Sequence, residues 1–84
     1  MSVLLHPKAA GALSKLDKVT KERTKARLRE LESHPERSKR LKYSDFWVLR
    51  IGDYRAIYEI DEDRIIVLFI GHRENVYDDF SKLF

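Results

Sequence analysis

Residues 46–71 read FWVLRIGDYRAIYEIDEDRIIVLFIG. Three runs rich in β-branched and aromatic side chains, 46–51, 54–60 and 64–71, are separated by Gly52-Asp53 and by Asp61-Glu62-Asp63. That punctuation predicts a three-stranded antiparallel meander. Gly at the first central position suits a two-residue primed turn. With such a loop, Ile51 faces Tyr54 and Arg50 faces Arg55 across the ladder. Trp47, Leu49 and Ile51 then share one face with Tyr54, Ala56 and Tyr58, and the two arginines fall on the other. Directly opposed side chains hold their Cβ atoms roughly 5 Å apart, where like charges destabilise. Such a pair calls for an anion between its members or for acidic neighbours.

Upstream the texture is helical. Ser2 to Leu5 is short and apolar, a predicted strand. His6-Pro7 opens a helix, because Pro costs nothing in the first turn, and Ala9, Ala10, Ala12, Leu13 and Leu16 continue it, with Gly11 as its weak point. Asp17 is placed to cap a second helix. Leu16, Thr20, Thr24, Leu28 and Leu31 form its thin apolar stripe, and His34-Pro35 ends it. Glu36 to Lys42 reads as a basic linker. The tail from Asn75 to Phe84 reads as a last helix turn or an extended arm. The expected fold is therefore α+β: an N-terminal strand, a helical hairpin, then the meander with a short C-terminal helix or arm. Residues 1–84 form one domain, with helices over the Trp47 face and the arginines exposed on the other.

Composition bounds what such a chain can do. A domain of 84 residues has too small a core for a deep, closed active site, so an open groove or surface patch is expected. Seventeen Lys and Arg against fourteen Asp and Glu give a net charge of only +3, so the distribution of charge matters more than its total. Lys21 to Lys42 is strongly basic, whereas the C-terminal part carries Glu74, Asp78 and Asp79 against Lys82. The basic half suits a polyanion or an acidic protein, and equally a solvated helix face. No cysteine is present, which excludes disulfides and a thiol nucleophile. His6, His34 and His72 are scattered and no carboxylate spacing matches a ligand pattern, so neither a metal nor another cofactor is expected. With no signal-peptide pattern and no long apolar run, a cytoplasmic protein without membrane contact is expected.

The chemistry-bearing candidates on or beside the arginine face are Arg50, Arg55, His72, Arg73 and Tyr77. Guanidinium groups match phosphate oxygens bidentately, a tyrosine or histidine can stack on an unpaired base, and histidine can move a proton near neutral pH. Each has a plainer reading. Arginines on an open sheet face commonly pair with carboxylates, here Asp53, Glu59 or Glu74. A lone histidine is more often a surface residue, and a lone tyrosine near a terminus more often packs.

The segment KRLKYSDFWVLRIGDYRAIYEI, followed by VLFIGHRENVYDDF, resembles the RelE/ParE superfamily of type II toxins, on its RelE-like branch. The likeness runs nearly the full length, through the opening strand, the helical hairpin, the Leu41-Lys42 step and the GDYR and HR…VY signatures. It implies a metal-free, ribosome-dependent endoribonuclease that cuts mRNA in the A site through the RNA's own 2′-hydroxyl. It also implies a cognate RelB-like antitoxin, a monomeric free toxin and a larger toxin–antitoxin assembly. By this resemblance Arg55 and Arg73 stabilise the phosphate and Tyr77 orients or stacks the substrate. Arg50 stands where such sequences carry the second of two lysines, and Val48 where they carry the first. An arginine does not readily give up a proton. General acid and base then fall to His72, Tyr77 or ribosomal RNA, while Lys39, Arg40 and Lys42 of the linker bind RNA. Two other readings follow from the same resemblance: a ParE-like inhibitor of DNA gyrase acting by binding, and a weak relic that only binds its antitoxin.

Overall fold

The computed structural model describes residues 1–35, 38–41 and 44–84. In chain order the elements are β1 (Ser2–Leu5), α1 (Pro7–Ser14), α2 (Lys18–Leu31), β2 (Lys39–Arg40), β3 (Phe46–Ile51), β4 (Tyr54–Asp61), β5 (Arg64–His72) and α3 (Val76–Leu83). The strands form one sheet in the order β1-β5-β4-β3-β2. The meander is present with the expected hairpin register, Ile51 opposite Tyr54 and Arg50 opposite Arg55. Gly52 has φ +58 while Asp53 has a negative φ, the pattern of a turn with its left-handed residue first. β1 joins the far edge in parallel, Ser2 beside Arg64 and Leu5 beside Val67.

Local chemistry sets the helix ends. Pro7 opens α1, with His6 as its N-cap accepting a hydrogen bond at Nδ1 from the Lys8 N–H (3.1 Å). Asp17 caps α2 by accepting from the Thr20 N–H at 3.1 Å. Hydrogen bonds from the Thr20 hydroxyl and then its N–H hold the Asp17 carboxyl below its ordinary range. α2 stops at Leu31, three residues before His34, where the sequence places the break.

The sheet is covered on both faces. Beneath α1 and α2, Leu49, Ile51, Ala56, Tyr58, Ile65, Val67 and Ile70 pack with Ala9, Leu13, Leu28 and Leu31. Thr24, on the thin stripe, is fully buried and donates its hydroxyl to the Thr20 carbonyl (2.8 Å). The opposite face is expected to be open, yet there α3 lays Val76 and Phe80 on Val48, Ile57 and Leu68, with Phe46 meeting Phe80 edge-on at 5.1 Å. The reason is hydrophobic: that face carries its own apolar row, and burying one such side chain stabilises by about 1.5–3 kcal/mol. The arginines are confined to the part that α3 leaves uncovered.

Two features escape sequence periodicity. β2, only two residues long, lies inside the basic linker and pairs Lys39 with Val48 and Arg40 with Trp47. β5 carries a bulge: Ile57 pairs with Phe69 but Tyr58 pairs with Val67, leaving Leu68 without an opposite residue. Leu68 and Phe69 consequently both reach the α3 side, so from Phe69 onward the alternation of faces is reversed.

A candidate anion-binding groove

The register of β3 and β4 sets Arg50 directly opposite Arg55, and so on the same face, at the closed end of the hairpin. Arg55 is half-buried, and its Nη1 donates to the Gly52 carbonyl (2.9 Å) and the Tyr54 carbonyl (2.8 Å). The hairpin thus holds this guanidinium through backbone dipoles rather than a carboxylate. Arg50 is exposed and has no hydrogen bond or ion pair among the described residues. Asp53, Glu59 and Glu74, the carboxylates available to neutralise the pair, leave both arginines unpaired.

Around them lies an open groove of about 670 Å³. Arg50 and Arg55 form its floor with Val48, Lys39 enters from β2, Tyr77 from α3 and Arg27 from α2. Four cationic side chains line it and, among the described residues, no carboxylate does. Tyr77 is 46% exposed, so its ring stands at the rim rather than in the core beneath α3. Arg27 Nε is shielded from solvent without a hydrogen-bond partner. It lies 3.4 Å from Glu30 Oε2, close enough for Coulomb attraction but not aligned as a hydrogen bond. Ser38 Oγ on the same wall is likewise shielded and unpartnered. Concentrated positive charge, an aromatic rim and idle donors favour an anionic chain bearing flat bases.

The other expected residues are distributed differently. Arg73 sits beside the hairpin turn rather than in the groove lining. Its N–H donates to the Asp53 carbonyl (2.8 Å) and its Nε is 3.9 Å from Asp53 Oδ1. His72 pairs with Tyr54 and meets that ring edge-on at 5.5 Å, while its Nδ1 accepts from the Glu74 N–H (3.2 Å). It therefore points to the face opposite Arg55, contrary to the sequence expectation, because the bulge at Leu68 reverses the alternation. Arg40 also leaves the set. It is opposite Trp47 and donates to the Ser44 carbonyl (2.9 Å) and Asp45 Oδ1 (3.2 Å). Lys42 lies outside the described residues.

Arg27 and Ser38 are the groove residues that sequence reasoning missed. Arg27 lies three positions after Thr24, on the flank of the α2 stripe, and that spacing is the only sign of its inward turn. Among the described residues no group of three His, Cys, Asp or Glu is placed to hold a metal ion. Likewise, no helix there is long and apolar enough to cross a membrane.

A family model described as the ParE toxin of the type II toxin–antitoxin system parDE matches residues 3–77. Sequence comparison with curated proteins finds no match. Among solved structures, the archaeal RelE–RelB complex from Pyrococcus horikoshii OT3 is 28% identical, with a TM-score of 0.75 over 86% of this chain and 93% of that one. The RelB–RelE complex from Methanococcus jannaschii gives 24% identity and 0.75, covering 92% and 98%. The isolated Escherichia coli RelE toxin gives 22% and 0.75, covering 96% and 95%.

Proposed function

The chain belongs to the ParE toxin family of type II toxin–antitoxin systems, and on that premise we propose that it is a ribosome-dependent endoribonuclease that cleaves mRNA. The observation that carries this reading is the groove: four cations and no carboxylate in its lining, with Arg50 opposed to Arg55 and Tyr77 at the rim. A scissile phosphate between the two guanidiniums relieves their repulsion and receives bidentate donors. As the 2′-oxygen attacks, the phosphorane gains charge that Arg55, held by the hairpin carbonyls, and the unpaired Arg50 meet. Tyr77 at the rim stacks on a splayed base and fixes its register. Arg73, held at the turn, supports Arg55 and lends its charge from outside the groove. His72 has no part in the groove chemistry.

The reading extends to one functional domain acting in the cytoplasm, with ribosome and mRNA as targets and a RelB-like antitoxin as partner. An acidic antitoxin segment that folds on a basic face would bury the cations an RNA needs. The free toxin acts as a monomer, and its complex with the antitoxin is a larger assembly.

The test is mRNA integrity during in vitro translation, mapped by primer extension, for wild type and Arg55→Ala. Discrete cuts at A-site codons that disappear in the variant are expected. Intact mRNA with wild-type protein on matched ribosomes sinks the proposal. A second reading, inhibition of DNA gyrase by binding, draws on the ParE family match and on apolar Val48 in the groove floor. Loss of supercoiling by purified gyrase, with mRNA left intact, would select it.

A further inference from the structure

Transesterification needs a group that takes the 2′-hydroxyl proton, and the identity of that group here rests on the nuclease reading above. Arginine does not serve, since its guanidinium stays protonated in proteins. That removes Arg27, Arg50 and Arg55, and His72 lies across the sheet against Tyr54. Among the described lining residues, Lys39, exposed on β2, and Tyr77 remain as side chains that carry a removable proton. Tyr77 is at the rim. Lys39 is carried on β2 directly opposite Val48, which makes it the diagonal neighbour of Arg50. Diagonal neighbours on a sheet face are roughly 7–8 Å apart, within reach of long side chains converging on one phosphate.

We propose that Lys39 is the general base of this groove, delivered from the edge strand β2 to the patch of floor that Val48 leaves apolar. The groups that face it are Arg27 from α2, Arg50 from β3, Arg55 from β4 and Tyr77 from α3, beside apolar Leu41 and Val48. A lysine amine can serve as a general base, which a guanidinium cannot. Its neutral amine takes the 2′-hydroxyl proton while the 2′-oxygen bonds to phosphorus. The bond from phosphorus to the 5′-oxygen breaks, and that oxygen leaves with a proton from water in the open groove. The products are a 2′,3′-cyclic phosphate and a 5′-hydroxyl, and Lys39 returns its proton to solvent.

The experiment is single-turnover cleavage of mRNA on programmed ribosomes from pH 6 to 9, with ribosome binding measured in parallel. The proteins are wild type, Lys39→Arg, Lys39→Ala and the exchange Lys39→Val with Val48→Lys. Lys39→Arg keeps the charge but not the exchangeable proton, and its cleavage is expected to fall about 10²–10⁴-fold with ribosome binding unchanged. The exchange moves the amine straight across the ladder and should recover part of the lost rate. Wild-type cutting matched by Lys39→Arg, with the same pH profile, overturns Lys39 as base and leaves the nuclease reading standing. Equal loss of binding and cleavage in Lys39→Arg, without rescue by the exchange, assigns Lys39 to binding and also overturns the proposal. Absence of cutting by wild type removes the nuclease reading, and the base with it.

Discussion

Arg55 shows how a single side chain answers to both fold and site. Its Nη1 hydrogen bonds to the Gly52 and Tyr54 carbonyls fix the guanidinium at the hairpin while leaving its other donors free for an anion. Arg55→Ala is expected to cut mRNA about 10²–10³-fold more slowly, the scale of losing one preorganised donor at a developing charge. Its unfolding midpoint should move little, since a hydrogen bond contributes only about 1 kcal/mol net. Gly52 answers to the backbone alone. At φ +58 a side chain is strained, and a Cβ there would lie 3.1 Å from Arg23 Nη1. Gly52→Ala should therefore cost about 1–2 kcal/mol in urea denaturation. Both residues were legible in the sequence, because strand alternation and the Gly-Asp loop specify the same register. Arg27 was not, since an arginine beside an apolar stripe has the same spacing whether it turns to solvent or into a groove.

Among the elements, β5 and α3 decide which side chains the groove receives. The Leu68 bulge has no compositional mark: 65–71 is one apolar run whether or not a residue is skipped. Strand identity was therefore readable and the facing of His72 was not. Likewise α3 reads as a short amphipathic tail, and only the apolar row of Val48, Ile57 and Leu68 explains where it docks. Phe80→Ala should destabilise by about 3 kcal/mol in equilibrium unfolding and, by loosening α3, weaken the Tyr77 contribution to cleavage. At α2, the Asp17 carboxyl is lowered in the folded state by hydrogen bonds from Thr20. Its capping contribution is thus complete above the unfolded carboxylate pKa of about 3.9 and is lost as pH falls through the folded value. Melting curves should show wild type losing its advantage over Asp17→Ala on acidification below about pH 4.

Taken whole, the molecule holds a net charge of only +3 while gathering Arg27, Lys39, Arg50 and Arg55 around one groove. Ribosome binding should weaken steeply with salt, and Arg50→Ala should reduce the slope of log affinity against log salt by about 0.7–0.9 for one lost phosphate contact. The α+β class was readable from the order of textures along the chain. The parallel seat of β1 was not, because a four-residue strand does not declare its partner. That seat has a consequence in time. β1 pairs only with β5, across a span of about sixty residues, and long-range pairing of this kind folds slowly. Until β5 and Tyr77 have followed β1 off the ribosome, the nascent chain has neither a finished sheet nor a complete groove lining, so the site is assembled late relative to the strand that closes its sheet.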